Sequence, residues 1–150
     1  MRRPEEVFVV TFRHGTAEPD FLVLKRSPER HGYWHLVAGA LDDDEDAAAA
    51  AARELHEETG LRAPIVDLER RYVYALDDEP PEVRARFAKA VNEIVVSAFA
   101  AEAPSTWEPE LDEEHVEYRW CGASEAIALL EYPEPRDAVR ETVSRLEARV

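Results

Sequence analysis

The alternation of apolar and polar positions divides the chain into strand-like and helix-like segments. EEVFVVTFRH (5–14) and DFLVLKRS (20–27) are β-branched and aromatic runs flanking the turn-rich GTAEPD. They predict two strands paired as a hairpin. GYWHLVAGAL (32–41) reads as a short strand entering a loop. The pattern then changes. From Asp46 to Glu58 the chain carries six consecutive alanines and other strong helix formers, with Asp46 suited to the N-cap and Gly60 to the C-terminal cap. IVDLERRYVYAL (65–76) predicts a strand. DDEPPEVRARFAKA (77–90) is a polar connection with room for a helical turn, and its prolines exclude a central strand. NEIVVSAFAAE (92–102) and EHVEYRWCG (114–122) predict two further strands. SEAIALLEY (124–132) and PRDAVRETVSRLEARV (135–150) predict helices, the second amphipathic through Val139, Val143, Leu146 and Val150. Several strands, a central helix and two late helices imply an α/β layered domain with a mixed sheet and helices on both faces. With no internal repeat and no linker-like segment, residues 1–150 are expected to form a single domain.

Composition narrows the function. No apolar run approaches the roughly 20 residues of a membrane span. The opening MRRPEEVFVVTF is broken early by acids and a proline, so no signal peptide is expected. Cys121 is the single cysteine, which excludes an intrachain disulfide; it reads as a packing residue, with a reactive thiol the alternative. A reducing, cytoplasmic location is the default expectation. The formal net charge of −15 argues against a nucleic-acid duplex as partner. It leaves room for a phosphorylated small molecule, because bound divalent cations reverse the sign of a site locally.

The chemistry concentrates in GALDDDEDAAAAAARELHEETGL (39–61). On a helix, Glu54, Glu57 and Glu58 stand at i, i+3 and i+4 and share a face, where three carboxylates repel one another. A hard divalent cation turns that repulsion into coordination. Acidic helix faces are also common as plain solvated surface, and E-x-x-E-E alone does not separate the two. The surrounding spacing does: Gly39, five residues, Glu45, seven residues, then Arg53-Glu54-Leu55-x-Glu57-Glu58-x-Gly60-Leu61.

This string matches the Nudix box at every defining position, and the chain resembles the Nudix hydrolase family. The resemblance implies the Nudix fold, an α/β/α sandwich with a mixed central β-sheet, in which the box (39–61) forms loop, helix and loop. It implies hydrolysis of a nucleoside diphosphate linked to another group, with Mg²⁺ as cofactor and Mn²⁺ as substitute. Carried over by position, Glu54, Glu57 and Glu58 are the metal carboxylates, with Glu54 or Glu58 nearest the activated water. The carbonyl of Ala38 is a further ligand. Arg53 orients the glutamates, Glu45 pins the loop through Arg53, and Gly39 and Gly60 are structural. The alanines either let the helix lie close to the sheet or serve only as helix formers.

Val37-Ala38-Gly39-Ala40 replaces the Pro-Gly-Gly entry of many family members. RSPERHGYWHLVAGAL, NEIVVSAFA and EEHVEYRWCGASEAIALLEYPEPRDAV resemble dihydroneopterin triphosphate pyrophosphatases and their relatives. On that alignment Glu114 is the metal glutamate supplied from outside the box, with Glu113 and Glu117 as rivals. Arg26 is the candidate phosphate contact, and Tyr33 and Trp34 are candidate stacking partners for a planar ring, with core packing the alternative for Trp34. Arg84 and Arg86 are outer phosphate candidates or solvated charges, and Trp107 is a lid or a loop anchor. The expected function is a Mg²⁺-dependent pyrophosphohydrolase acting on a nucleoside triphosphate-like substrate, with dihydroneopterin triphosphate favoured. Ordinary or damaged (d)NTPs and dinucleoside polyphosphates are the alternatives, and a non-catalytic nucleotide sensor is the reading from a different class. Family members are monomers or homodimers.

Overall fold

A computed structural model describes residues 2–149. In chain order it contains β1 (Glu5–His14), β2 (Pro19–Arg26), β3 (Trp34–His35), β4 (Val37–Ala40), α1 (Ala47–Thr59) and β5 (Val66–Ala75). There follow α2 (Pro81–Arg84), β6 (Glu93–Glu102), β7 (His115–Cys121), α3 (Ala123–Leu129) and α4 (Pro133–Glu147). Short 3₁₀ turns occupy Pro28–Arg30 and Leu76–Asp78. Val150, the last position of the predicted amphipathic stripe, lies outside the described residues.

Among the described residues, seven strands form one mixed sheet. The hairpin predicted for β1 and β2 is present, with Phe12 opposite Phe21. β1 is also the hub of the sheet: it pairs antiparallel with β4 and parallel with β6. β5 closes one edge against β6, with a bulge between Asp67 and Arg70 where Glu69 takes a left-handed φ of 57°.

Alternation along β1 sorts the core into two layers. Phe8, Val10 and Phe12 join Leu68, Val96, Val139 and Leu130 on the face covered by α3 and α4. Val7 and Val9 face the other way, with Leu55, Leu61, Phe99 and the alanines of α1. Helices therefore cover both faces, as an α/β/α sandwich requires. The poly-alanine run does two jobs. Ala50 and Ala51 are fully buried and bring α1 close to the sheet, whereas Ala48, Ala49 and Ala52 are exposed and act only as helix formers.

Two expectations need correction. GYWHLVAGAL is two strands rather than one entering a loop: β3 pairs with β2 and β4 pairs with β1. Gly39 and Ala40 consequently belong to β4, held by Val7 and Glu6 of β1, and the loop of the box starts only at Leu41. Cys121 is buried, its thiol against the Phe21 carbonyl at 3.8 Å, and burial pushes its pKa up to about 11. It is an inert packing residue.

Candidate active site

The helix that carries the glutamates is fixed at both ends. The Asp46 carboxylate accepts from the Ala49 N–H at 2.8 Å, the N-cap contact read from the sequence. Such a cap contributes about 1 kcal/mol. Gly60 ends the helix with φ 84°, and its N–H donates to the His56 carbonyl at 2.8 Å. A left-handed residue here favours glycine.

Arg53 organises the near side of the site. Its guanidinium donates twice to Glu45, at 2.9 and 2.8 Å, once to Glu54 at 2.8 Å and once to Glu57 at 3.2 Å. It also donates to the Ala40 carbonyl at 3.0 Å, which ties α1 to β4. The Arg53 donors hold the Glu45 carboxyl below its ordinary pKa, and the carboxylates in turn push Arg53 up. Glu45 further accepts from the Asp42 N–H at 2.9 Å, so one carboxylate closes the loop and the arginine orients the others.

The glutamates differ sharply in environment. Glu57 is exposed and bonded to Arg53. The Glu54 carboxylate lies against Gly39, where a Cβ would overlap its Cδ and Oε1. This glycine is required for space: its φ is not in the left-handed region. Glu58 is 1% exposed. The Ala38 N–H reaches its Oε1 at 3.4 Å, while Oε2 is buried without a partner among the described residues. An unpartnered buried polar atom costs about 1–3 kcal/mol, more when charged. Burial first, and then the neighbouring Glu54 carboxylate, pushes the Glu58 pKa well above the ordinary carboxylate range.

These features fit a divalent cation. The donors are oxygens, a carboxylate is seated over a glycine, and a buried carboxylate oxygen lacks a partner. The ligand set is not fully drawn together: among the described residues no three His, Cys, Asp or Glu side chains converge at metal spacing.

Glu54, Ala38 and Gly39 form one wall of a cleft of about 860 Å³. Of the substrate candidates, Arg26 and Tyr33 line it, with the guanidinium 5.5 Å from the Tyr33 ring centre. The Arg26 Nε is buried and has no partner among the described residues. Glu114 also lines the cleft, paired with Arg30 at 3.4 Å. Its rivals Glu113 and Glu117 are exposed and outside the cleft lining. Trp34 is not brought to the cleft either. It packs against the α3–α4 side of the core, bridged to Leu130, with Arg119 over its ring at 5.2 Å. These contacts agree with the core-packing alternative for Trp34. Arg86 lines the cleft, whereas Arg84 donates to the carbonyls of Ala88 and Lys89 and closes a turn. Trp107 anchors its loop, edge-on to Trp120 at 6.2 Å.

Several cleft residues were not singled out by the sequence. Arg2, Glu6 and His35 line it, and Tyr74 and Tyr132 add aromatic walls. The Arg2–Glu6 pair spans 3.2 Å, and burial still raises the Glu6 pKa. His35 accepts the Leu36 N–H on Nδ1 at 2.7 Å and stands edge-on to Phe8. Burial holds it neutral, its pKa lowered to about 3. An inward polar position within an apolar strand was the available signal for Glu6 and His35.

A family description of the NUDIX domain matches residues 2–142, nearly the whole chain. The chain belongs to the NUDIX family. Its Nudix domain is 37% identical over 132 residues to the octanoyltransferase of Myxococcus xanthus, covering 87% of this chain and 33% of that protein. The structure of the Escherichia coli dihydroneopterin triphosphate pyrophosphohydrolase is 26% identical with a TM-score of 0.79, covering 96% of this chain and 97% of that one. A NUDIX hydrolase of Listeria monocytogenes is 29% identical with a TM-score of 0.83, covering 98% and 97%. This Nudix chain spans a third of the length of the Myxococcus relative and about half that of the Escherichia coli NudJ phosphatases.

Proposed function

We propose that this Nudix domain is a Mg²⁺-dependent pyrophosphohydrolase that cleaves a phosphoanhydride bond of a nucleoside triphosphate-like substrate, with Mn²⁺ as substitute. The observation that carries the reading is the Glu54–Glu58 carboxylate pair, one seated over Gly39 and the other buried with an unpartnered oxygen, beside a cleft that also contains arginines. Glu54 and Glu58 would hold the cation, with Glu57, Glu114 and the Ala38 carbonyl as the remaining oxygen donors. A bound cation neutralises the polyphosphate and lowers the pKa of bound water. The chain's own residues do the rest. Arg53 keeps Glu54 in place, Arg26 donates to phosphate oxygens, and a Glu54 or Glu58 carboxylate accepts the water's proton. Tyr33, Tyr74 and Tyr132 offer faces and edges to a planar ring.

Dihydroneopterin triphosphate is the favoured substrate. Near-complete coverage of the Escherichia coli enzyme of that name, at 26% identity, supports it. The purified protein is assayed with Mg²⁺ on a panel containing this compound, the ordinary and oxidised (d)NTPs and dinucleoside polyphosphates, with products resolved by chromatography. The reading expects pyrophosphate from the pterin at a kcat/KM at least tenfold above any other member. A higher value for another nucleotide reassigns the substrate, and inertness across the panel with either cation refutes the enzyme.

A further inference from the structure

The cleft draws its acids from both faces of the sheet. Glu54 belongs to α1 and meets the cleft across Gly39 of β4. Glu6 meets it from the other face. Alternation along β1 turns Glu6 the same way as Phe8, toward the layer that also holds Ile94, Phe87 and Tyr74. In the sheet Glu6 lies between Ala40 of β4 and Val96 of β6. It is an acid on an otherwise apolar floor, on the sheet face opposite the helix that carries the box glutamates.

A carboxylate there repels a polyphosphate, so its partner is the remainder of the ligand. Its single hydrogen bond among the described residues comes from Arg2 Nη2, which donates to Oε2 at 3.2 Å. The Glu6 side chain is only 23% exposed. A carboxylate accepts at about four lone-pair sites, so both oxygens keep room for a further donor. A ring N–H beside an exocyclic amino group offers two parallel donors, which a carboxylate takes as a fork. Pterins and guanine share that edge. Adenine and cytosine set a bare ring nitrogen beside the amino group, and its lone pair would face a carboxylate oxygen.

The geometry points to Glu6 as the specificity residue of the cleft: its carboxylate receives the ring N–H and the adjacent amino group of a pterin or a guanine. Tyr74, on the same face of the sheet, supplies an aromatic wall beside that ring. The inference rests on the reading of the cleft as the substrate site.

The test measures binding to the whole chain by isothermal titration calorimetry with Mg²⁺. The probes are guanosine and inosine triphosphates with methylene bridges in both anhydrides, which differ only in the amino group. The wild type is expected to bind the guanosine probe about 10-fold or more tighter than the inosine probe. In Glu6→Gln an amide NH₂ replaces one acceptor and opposes the amino group, so the guanosine advantage disappears while inosine affinity stays within about threefold of wild type. Circular dichroism checks the fold, and the wild-type ratio stands without the variant. Turnover of dihydroneopterin triphosphate against GTP tells the two rings apart, the higher kcat/KM marking the one that Glu6 reads. A wild-type ratio within about threefold, or a Glu6→Gln that keeps the full advantage, leaves Glu6 as the anchor of Arg2 and overturns the inference. The expected ratio in a protein inert on every substrate overturns the hydrolase reading and leaves this one standing. A wild type that binds neither probe overturns both.

Discussion

Gly39→Ala separates the site from the fold. The backbone at Gly39 lies outside the left-handed region, so alanine fits it without strain. The added Cβ overlaps Cδ and Oε1 of Glu54 and stands 2.7 Å from Oε2. Carbon contacts settle near 3.5–4.0 Å, so the carboxylate must withdraw by about 1 Å. Glu54 is the far end of a flexible side chain, and moving it loosens one contact, the 2.8 Å pair with Arg53. A partly exposed pair of this kind contributes at most about 1 kcal/mol. The lower chain entropy of alanine in the unfolded state returns about 0.4–1 kcal/mol. The net change in stability is near zero, and the Tm moves by less than about 4 °C. Catalysis responds differently, because a 1 Å misplacement of a positioned group costs about 100-fold. The variant should keep its circular dichroism spectrum and melting temperature while kcat/KM falls about 100-fold. A kcat/KM within threefold of wild type would show that the seat over Gly39 does not matter to the reaction. A Tm drop above about 10 °C would show that Glu54 does not yield and that the backbone moves instead.

Two further predictions concern pH in metal-free protein, and their signs are opposite. His35 is neutral in the fold down to about pH 3 but takes a proton near 6.5 when unfolded. Its contribution is complete above pH 6.5 and is lost as pH falls, by about 2 kcal/mol between pH 7.5 and 5. Urea unfolding in EDTA should show the wild type losing that much relative to His35→Gln over this range, and a parallel response would refute it. Glu58 is a carboxyl whose pKa rises on folding, so its contribution is present below about 4.5 and is lost as pH rises toward the folded value. Glu58→Gln in EDTA should therefore be more stable than wild type at pH 7.5, with the gap closing toward pH 5. A wild type that is the more stable at pH 7.5 without metal contradicts the buried-carboxylate account.

Local chemistry in the sequence was read well because local rules govern it. The helix of the box, its Asp46 cap and its Gly60 terminus follow from propensity and capping, and each is present. The hairpin follows from the turn between two β-rich runs. What could not be read depends on pairing between distant segments. Nothing in β1 announces that it runs parallel to β6, or that four residues after His35 form a separate strand against β1. Trp34 illustrates the cost of that gap. Aromatic character alone does not say which wall a ring joins, and the contact with Leu130 that draws it to α3 spans most of the chain.

The central claim is that the Glu54–Glu58 pair holds the cation on which hydrolysis depends, and turnover of Glu58→Gln tests it most directly. With the best substrate of the panel and saturating Mg²⁺, kcat should fall by about 100-fold or more while the protein stays folded. A folded Glu58→Gln that turns over at a rate close to wild type would contradict the account.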